Sequence, residues 1–319
     1  MMRIAVSLLF FALVSAASAG EIRIASWNIA NFHHQPEVEQ RPGIGTKRKA
    51  GDFGRLLGYA EKLGRDEAPA DIIALQEIGT QRAAERIFPV GQYDVVMSKQ
   101  YHRDVAAGQA DDIYTAVAIR KNRGISIVRQ EDIEALAVPH TDSSGTRPTR
   151  SGAALLLEIS GTRLWVVSVH LKSSCSTVAH PDTSTNADCV TFWKQHAPLS
   201  QWIKRRTDEG APFIIAGDFN RRFRQFGDDD PFWKALNDGD LGEPILVRHP
   251  ETAVRKCPTR LGTSTQPIDW IMLDARIADW VREGSYWERR YSRSDVNATG
   301  GTGSQRLSDH CPVSLDLDF

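Results

Sequence analysis

The sequence predicts a single α/β domain built around a mixed β-sheet. Short apolar segments alternate with amphipathic ones along the 319 residues, and reactive polar side chains fall at the boundaries of the apolar segments. A chain of this length can bury one large core or two small ones. Neither internal repeats nor a shift in composition divides the chain, so residues 20–319 are interpreted as one domain.

The helices are predicted from apolar residues at helical spacing. Phe53, Leu56 and Ala60 define such a face in the first segment, and Pro231 stands at the favoured first position of the third. The predicted helices are residues 52–63, 192–206 and 230–236.

The strands are predicted from short apolar runs, of which residues 164–169 are apolar on both faces and therefore central. The predicted strands are residues 22–27, 72–75, 116–119, 153–159, 164–169, 213–216, 268–273 and 312–317. Long polar stretches between them are interpreted as surface loops. These loops are residues 33–49, 141–150, 173–188 and 291–306.

The N-terminus has the layout of a signal peptide. Arg3 precedes an apolar run at residues 4–14, and small residues end at Ala19. The run is shorter than the roughly 20 apolar residues of a membrane-spanning helix, and no later segment is apolar enough to span. Residues 1–19 are therefore predicted to be removed on export, to the periplasm or the medium. A monomer is the default expectation. The net charge of −1 gives no global basic field.

The cysteine count also favours an exported protein. Four cysteines follow the signal segment, and an even count in that setting favours disulfides. Three pairings are open. Cys175–Cys189 is favoured because it closes a short polar loop, which leaves Cys257–Cys311. A zinc site is disfavoured, because there is no C-x-x-C pair and no histidine at ligand spacing.

Polar side chains with catalytic chemistry occupy the ends of the predicted strands. Five follow a strand: Asn28, Glu77, His170, Asp218 and Asn220. Asp269 and the pair Asp309-His310 instead lie at the start of their strands. Ligand sites usually lie beyond the carboxyl ends of strands. If the last two strands run antiparallel to the others, all these side chains meet at one edge.

Each position also has a structural explanation when taken alone. Asn28 can cap a turn, Glu77 can be a solvated loop carboxylate, and His170 can be a satisfied core group. Residues 217–220 are more specific, because glycine permits a tight turn and side chains two apart in an extended chain point to one side. Their joint occurrence at one edge favours an active site.

Six motifs occur in order: Trp27-Asn28, Gln76-Glu77, Ser168-Val169-His170-Leu171-Lys172-Ser173, Gly217-Asp218-Phe219-Asn220, Ile268-Asp269-Trp270-Ile271 and Ser308-Asp309-His310-Cys311-Pro312-Val313. Together they resemble the endonuclease/exonuclease/phosphatase superfamily, which includes deoxyribonuclease I. The resemblance implies a four-layered α/β sandwich with two mixed, mainly antiparallel β-sheets packed face to face between helices. With the export signal, it indicates a secreted, bacterial-type member.

The resemblance also implies a metal site. Asn28 and Glu77 would help to hold the ion, with Asp309 nearby. Carboxylate and amide oxygens suit hard cations, so Mg²⁺ is expected, with Mn²⁺ or Ca²⁺ as alternatives. The ion would neutralise charge on the phosphate during hydrolysis.

The catalytic residues implied by the resemblance are His170, Asp218, Asn220, Asp269 and His310. His170 would contact the phosphate or assist the leaving group, and Asp218 and Asn220 would orient water and phosphate. Asp269 would orient His310 and favour its charged form. Whether Asp218 or the His310–Asp269 pair activates the water stays open.

Four residues are predicted to bind substrate: Arg150, Lys172, Tyr114 and Arg221. Arg150 stands where some deoxyribonuclease-like members carry a phosphate-contacting arginine. Arg221 begins a basic cluster directly after the catalytic segment. Deoxyribonuclease I has a carboxylate partner for its first histidine, and Asp112 is the nearest acid here.

These features predict a metal-dependent phosphodiesterase, most simply an endonuclease acting on DNA, because local Arg and Lys clusters suit phosphate backbones. The alternatives are a phospholipase C-type sphingomyelinase, a phosphatase, or a binding module without turnover. A lipid hydrolase would expose apolar residues for insertion, for which Tyr286-Trp287 is the candidate.

Overall fold

The computed structural model describes residues 20–41, 46–110, 112–142, 145–238, 244–251 and 254–318. Its strands are β1 (Glu21–Phe32), β2 (Ile72–Ile78), β3 (Tyr93–Met97), β4 (Tyr114–Arg120), β5 (Ile125–Gln130), β6 (Pro139–Asp142), β7 (Gly145–Pro148), β8 (Ala153–Ile159), β9 (Thr162–His170), β10 (Phe213–Asp218), β11 (Leu246–His249), β12 (Asp269–Asp274), β13 (Trp287–Glu288) and β14 (Val313–Asp318). The proposed signal peptide lies outside the described residues.

The α-helices are α1 (Ala50–Ala60), α2 (Gln81–Glu85), α3 (Lys99–Ala106), α4 (Ala187–Lys194), α5 (His196–Asp208), α6 (Phe223–Phe226), α7 (Pro231–Asn237) and α8 (Arg293–Ala298). Short 3-10 helices occupy Glu134–Leu136, Gly227–Asp229 and Ala275–Trp280. No helix in the described part of the chain is long and apolar enough to cross a membrane.

Two six-stranded sheets carry the fold within the described residues. The first has the order β13-β14-β1-β2-β4-β3 and the second β11-β12-β10-β9-β8-β5. Each contains one parallel pair, β1 with β2 and β9 with β10, and its other pairs are antiparallel. A two-stranded hairpin, β6–β7, stands apart. The predicted mixed, mainly antiparallel sheets are confirmed.

Alternating side chains make four layers. In β1, Ile22 and Ile24 join an apolar cluster shared with the second sheet, whereas Ala25 and Trp27 pack with residues of α1 and α2. The outer face of the second sheet packs against α4, α5 and α7. Because strand side chains alternate between faces, each sheet presents one face to the other sheet and one to helices. The four-layered sandwich is confirmed.

Both favoured disulfides are present, Cys175–Cys189 and Cys257–Cys311. All eight predicted strands exist, with ends shifted by a few residues. The predicted helix at residues 192–206 is wrong as one element, because it divides at Gln195 into α4 and α5. Pro198 lacks the N–H that would bond to Lys194, and its ring disfavours a continuous helix there.

The loops hold more structure than expected. The loop at residues 141–150 contains most of the β6–β7 hairpin, and the loop at residues 291–306 contains α8. Strands β3, β5, β11 and β13 and helices α2 and α3 were not predicted. Strand β5 is largely exposed, and its short apolar run, Ile125 to Val128, was not assigned to a strand.

Candidate active site

The sheet register brings three of the predicted residues side by side. Asp218, at the end of β10, lies opposite His170 of β9 and Asp269 of β12. Because β12 runs antiparallel to β10, its first residue reaches the same edge as the last residue of β10. The antiparallel arrangement expected for the final strands is therefore confirmed for Asp269, and β14 also runs antiparallel to β1.

Gly217 permits the close approach of β9 and β10 at this edge. Its φ is +157°, and a Cβ there would lie 2.0 Å from the carbonyl oxygen of Val169. Only a residue without a side chain fits that space. The glycine thus fixes the spacing of His170 and Asp218, which follow Val169 and Gly217 directly and end the two strands.

Asp269 and His310 form a buried dyad. His310 Nδ1 lies 2.7 Å from Asp269 Oδ1 and 2.9 Å from Oδ2. Burial lowers the pKa of His310, but the carboxylates of Asp269 and Asp218 outweigh it and raise the pKa to about 10. Burial favours the neutral form of Asp269, yet His310 and Arg260 lower its pKa. The imidazole is therefore charged at neutral pH.

Asp218 is the centre of the hydrogen-bond network. Its Oδ1 accepts the backbone N–H of Asn220 at 2.8 Å, and its Oδ2 accepts the amides of Asn220 and Asn28, each at 3.1 Å. His310 Nε2 lies 3.6 Å from Oδ2. Burial raises the pKa of Asp218 to about 7, although charged His310 lowers it. The carboxylate is poised to gain or lose a proton near neutrality.

Glu77 enters the site from an irregular part of β2. The registers of β2 with β1 and with β4 shift between Leu75 and Ile78, and Glu77 has a φ of +60°. Left-handed backbone costs roughly 1–2 kcal/mol per residue for a non-glycine. Here it turns the carboxylate so that Oε2 accepts the N–H of Asn31 at 2.8 Å.

Asn28 positions two carboxylates. Its Nδ2 donates to Glu77 Oε1 at 3.0 Å and to Asp218 Oδ2 at 3.1 Å, while its Oδ1 accepts the N–H of Ala30 at 2.9 Å. The amide oxygen is therefore occupied by backbone. Asn28 bridges the two sheets by holding one carboxylate of each, and its role as a metal ligand stays a prediction.

His170 lies between the same carboxylates. Its Nε2 is 3.7 Å from both Glu77 Oε1 and Asp218 Oδ2. Burial and the nearby Arg150 lower the pKa of His170 to about 3, so the ring is neutral at physiological pH. Its buried Nδ1 has no hydrogen-bond partner among the described residues. Asp112 is not that partner, because it binds Arg150 at 2.8 Å instead.

The carboxylates of the site fit a divalent metal ion. Glu77, Asp218 and Asp309 line one cavity. Burial raises the pKa of Asp218 to about 7, and Asp269 and Glu77 add to the rise. Ionising such a group is unfavourable unless a cation compensates. Three carboxylates and no thiolate make an oxygen-rich set that suits a hard ion.

A second set of candidate ligands has another explanation. Atoms of Asp218, Asp269 and His310 lie within 4.8 Å of one another. His310 Nδ1 already engages Asp269, and a charged imidazole offers no lone pair to a metal. This set is suited to proton transfer, and Glu77 and Asp309 beside Asp218 are the other candidates for metal binding.

The cavity has an acidic floor and a basic rim. Its volume is about 260 Å³, below the roughly 300–1,000 Å³ of most ligand pockets. Four cations line it: Arg41, Arg147, Arg150 and Lys172. Sequence patterns missed Arg41, because its position depends on how the segment after β1 folds back. His140, from the hairpin, was also missed.

Two of the predicted substrate-binding residues lie in the protein interior and make structural contacts. Tyr114 is fully buried and donates its hydroxyl to Asp104 at 2.9 Å. Arg221 is also fully buried, pairs with Asp230 at 2.7 Å and donates to the carbonyl of Cys175. Neither lines the cavity, so both assignments are corrected. Arg150 and Lys172 do line it.

Arg48 is a positioning residue that the sequence did not reveal. It is 2% exposed and donates to carbonyls of two segments that flank the site. These acceptors belong to Ile29, Ala30, Asn31, Gln305, Arg306 and Leu307. Arg48 thus joins the end of β1 to the loop before Asp309 and His310. Its signal, one arginine in a polar loop, does not differ from that of a surface charge.

The fold is shared with solved structures. Truncated TDP2 from Caenorhabditis elegans matches with a TM-score of 0.55 at 15% identity, covering 94% of this chain and 98% of that chain. The human nocturnin catalytic domain with bound sulfate matches with a TM-score of 0.53 at 16% identity, covering 94% of each chain. An endonuclease/exonuclease/phosphatase family protein from Bacteroides thetaiotaomicron matches with a TM-score of 0.54 at 18% identity, covering 94% of this chain and 98% of that chain. Identities this low establish the fold alone.

The double-sheet sandwich and its acid–histidine edge define a class of hydrolase. A profile described as the Endonuclease/Exonuclease/phosphatase family matches residues 25–310. The chain belongs to this family, whose members hydrolyse phosphoesters. Among curated proteins, no sequence matches the chain.

Proposed function

We propose that the protein is an exported, divalent-metal-dependent phosphodiesterase that cleaves nucleic acid, as a deoxyribonuclease I-like endonuclease. One observation carries the proposal: the acidic floor with its charged His310–Asp269 dyad is continuous with a rim of four cations. The floor suits hydrolysis of a phosphoester, and the rim suits an anionic chain.

The protonation states suggest which residue activates water. A charged His310 cannot accept a proton, whereas Asp218, with a pKa of about 7, can. Asp218 takes a proton from water as the water oxygen bonds to phosphorus, and the leaving oxygen departs with the electron pair of its broken bond and takes a proton from solvent. Asn220 holds Asp218 in place. Charged His310 then stabilises negative charge on the phosphate oxygens.

Neutral His170 offers an N–H to the phosphate without repelling His310. Glu77 and Asp309 would hold a divalent ion, which supplies Lewis-acid neutralisation of phosphate charge when bound. Arg150 lies beside His170, whose pKa it lowers, and provides a further charge for the substrate. These roles divide the cavity into a floor for chemistry and a rim for binding.

Nucleic acid is favoured over a lipid substrate. Trp287 is half-buried and stacked by Arg65 and Arg289, and Tyr286 is half-buried as well, so these residues do not form an exposed apolar patch. The large exposed apolar side chains of the described residues are mostly single, as at Val90 and Leu261, and only Ile127 and Val128 are adjacent in the chain. The two disulfides support an oxidising compartment, as expected of an exported protein.

A substrate panel tests the proposal. Oxidised purified protein is incubated with supercoiled plasmid, RNA, sphingomyelin and bis(p-nitrophenyl) phosphate, in EDTA or with Mg²⁺, Mn²⁺ or Ca²⁺. We expect metal-dependent nicking of the plasmid that falls steeply with salt, because each phosphate contact releases counterions.

The variant Asp218→Asn should lose this nicking, and Asp208→Asn, a change of the same type at an exposed helix end, should retain it. Release of phosphocholine without nicking would replace the nuclease proposal with the lipid one. Absence of turnover with every metal and substrate would reject an enzyme of this class.

A further inference from the structure

One arginine approaches the His310–Asp269 dyad from the side away from the catalytic cavity. Arg260 is not among the described residues that line that cavity; with Asp269 it lines a smaller one, of about 20 Å³. Its Nη2 lies 3.4 Å from Asp269 Oδ2, and its Nε donates to the carbonyl of Asp309 at 3.1 Å. One guanidinium group therefore links the carboxylate of the dyad to the residue just before His310.

The turn that carries Arg260 is anchored to the catalytic segment. The N–H of Arg260 closes the turn on the carbonyl of Cys257 at 3.1 Å. The disulfide Cys257–Cys311 ties the start of the turn to the chain just after the dyad histidine, and the hydroxyl of buried Thr259 donates to the carbonyl of Ser308. Because the backbone on both sides is fixed in this way, less entropy is lost in holding the guanidinium group against the dyad.

The effect of Arg260 on the dyad is one of position and not of charge. Burial lowers the pKa of His310, and two carboxylates outweigh burial and bring the pKa to about 10. Arg260 adds to the lowering, so without it the imidazole would still be charged at neutral pH. What would be lost is an anchor of Asp269, whose two oxygens lie 2.7 and 2.9 Å from His310 Nδ1. A rotation of that carboxylate would change both distances.

We propose that Arg260 is a positioning residue for hydrolysis, which holds the Asp269 carboxylate and the main chain at Asp309 in one arrangement. It thereby keeps the His310 imidazole directed at the phosphate. The inference rests on the proposed function, in which charged His310 stabilises the phosphate oxygens. A shift of about 1 Å in a group that acts on the transition state can cost a large part of the rate. Since Arg260 does not line the catalytic cavity, it acts through the dyad and not on the substrate.

The kinetics of Arg260→Ala test this role with bis(p-nitrophenyl) phosphate and Mg²⁺ at neutral pH. We expect kcat to fall about tenfold, the order of one charge-assisted hydrogen bond, and KM to change by less than about twofold. The Arg260 side chain is 21% exposed, so its removal leaves a space that opens to solvent. Added guanidinium chloride should therefore restore part of kcat, whereas sodium chloride at the same ionic strength should not. Arg260→Lys keeps the charge without the planar fork and should retain more activity than Arg260→Ala.

The matched control is Arg290→Ala. Arg290 is exposed and donates to the carbonyl of Lys256 at 3.0 Å, so it supports the segment that leads to Arg260. Its removal should leave kcat unchanged, and guanidinium should not raise the activity of this variant. An equal loss of kcat in the two alanine variants, or a loss confined to KM, would overturn the positioning role. So would a loss in Arg260→Ala that neither guanidinium nor the lysine variant reverses.

A spectroscopic measurement separates this inference from the proposed function. In protein with isotope-labelled histidine, the Nδ1–H signal of His310 is the one that disappears in His310→Ala. We expect this proton to exchange with solvent faster in Arg260→Ala than in wild type or Arg290→Ala, and more slowly again once guanidinium is added. Unchanged exchange in Arg260→Ala would overturn the inference. A wild type that cleaves no phosphoester would reject the proposed function, and the exchange rates would still show whether Arg260 holds the dyad.

Discussion

At the residue scale, the charges of Asp218 and His310 determine what the site does at neutral pH. A histidine with an ordinary pKa would be a candidate base, but Asp269 and Asp218 overcome the effect of burial and keep His310 charged up to about pH 10. Asp218 loses its proton near pH 7. These environments favour the aspartate over the dyad as the group that activates water, and they depend on burial, which cannot be inferred from residue types.

The first prediction concerns the dyad. Activity should need ionised Asp218 and charged His310, so kcat/KM should rise near pH 7 and fall near pH 10. In Asp269→Asn the main source of the raised pKa of His310 is removed, and the alkaline fall should move to lower pH. His310→Ala should lose about 10²–10⁴-fold in rate without unfolding. The pH dependence of kcat/KM is measured with bis(p-nitrophenyl) phosphate for each variant, and exposed Asp208→Asn serves as the control. An unchanged alkaline limb in Asp269→Asn would contradict the assignment.

The second prediction concerns Arg48. Its removal leaves several buried carbonyls without a donor, and each such loss costs about 1–3 kcal/mol. Arg48→Met should therefore lower the free energy of unfolding by on the order of 3 kcal/mol or more, and Arg48→Lys, with fewer donors, by less. Urea denaturation measures both, and exposed Arg163→Met should change little. Equal stability of Arg48→Met and wild type would show that the two segments are held by other contacts.

At the scale of elements, strands were predictable where burial imposes an apolar run, as in β9 and β10. The ends of these strands, and with them the positions of His170 and Asp218, could therefore be predicted as well. The hairpin β6–β7 was missed, because its residues are mostly polar and exposed and only its two-strand pairing defines it. Arg221 was misjudged for a related reason: a charge beside the site resembles a binding residue until tertiary packing pairs it with Asp230.

The third prediction concerns the contact of β9 with β10. Gly217→Ala would place a Cβ 2.0 Å from the carbonyl of Val169, so the strands must move apart. Overpacking typically costs about 1–3 kcal/mol, and the displaced strand ends should separate His170 from Asp218. We expect a lower thermal midpoint and a larger loss of kcat than of substrate affinity. Gly210→Ala, at another positive φ but in open space, is the control for backbone strain. Activity comparable to that control would show that the close approach is dispensable.

At the scale of the molecule, the site exists only when the two sheets are packed together. Asn28 of the first sheet donates to Asp218 of the second. Beneath the site, Gln76 Nε2 donates to Ser168 Oγ at 3.0 Å, and this hydroxyl donates to the carbonyl of Leu75 at 2.8 Å. These buried polar bonds require one relative placement of the sheets, because a shift would leave each group unsatisfied. The apolar layer gives the sheets their attraction, and the polar bridges specify their alignment.

The fourth prediction links this assembly to pH and metal. The pKa of Asp218 is raised from 3.8 to about 7 on folding, so the native state holds more protons than the unfolded state between these values. The stability from Asp218 is therefore fully present below about pH 4 and is lost as pH rises to about 7. The pKa of His310 is raised from 6.5 to about 10, so its contribution to stability is also lost as the pH rises through that range. The pKa of His170 is lowered from 6.5 to about 3, so its contribution is instead lost as the pH falls from 6.5 to 3.

Because other groups titrate too, the test is a difference between variants. In EDTA, wild type should lose more stability than Asp218→Asn between pH 5 and pH 8. Mg²⁺ should restore stability at pH 8, where the carboxylates are ionised, and do less at pH 5. Denaturation midpoints at both pH values, with and without Mg²⁺, measure the effect. If Mg²⁺ stabilised the protein equally at the two pH values, the cation would be bound elsewhere than among Glu77, Asp218 and Asp309, since ionisation of Asp218 would then not be coupled to its binding.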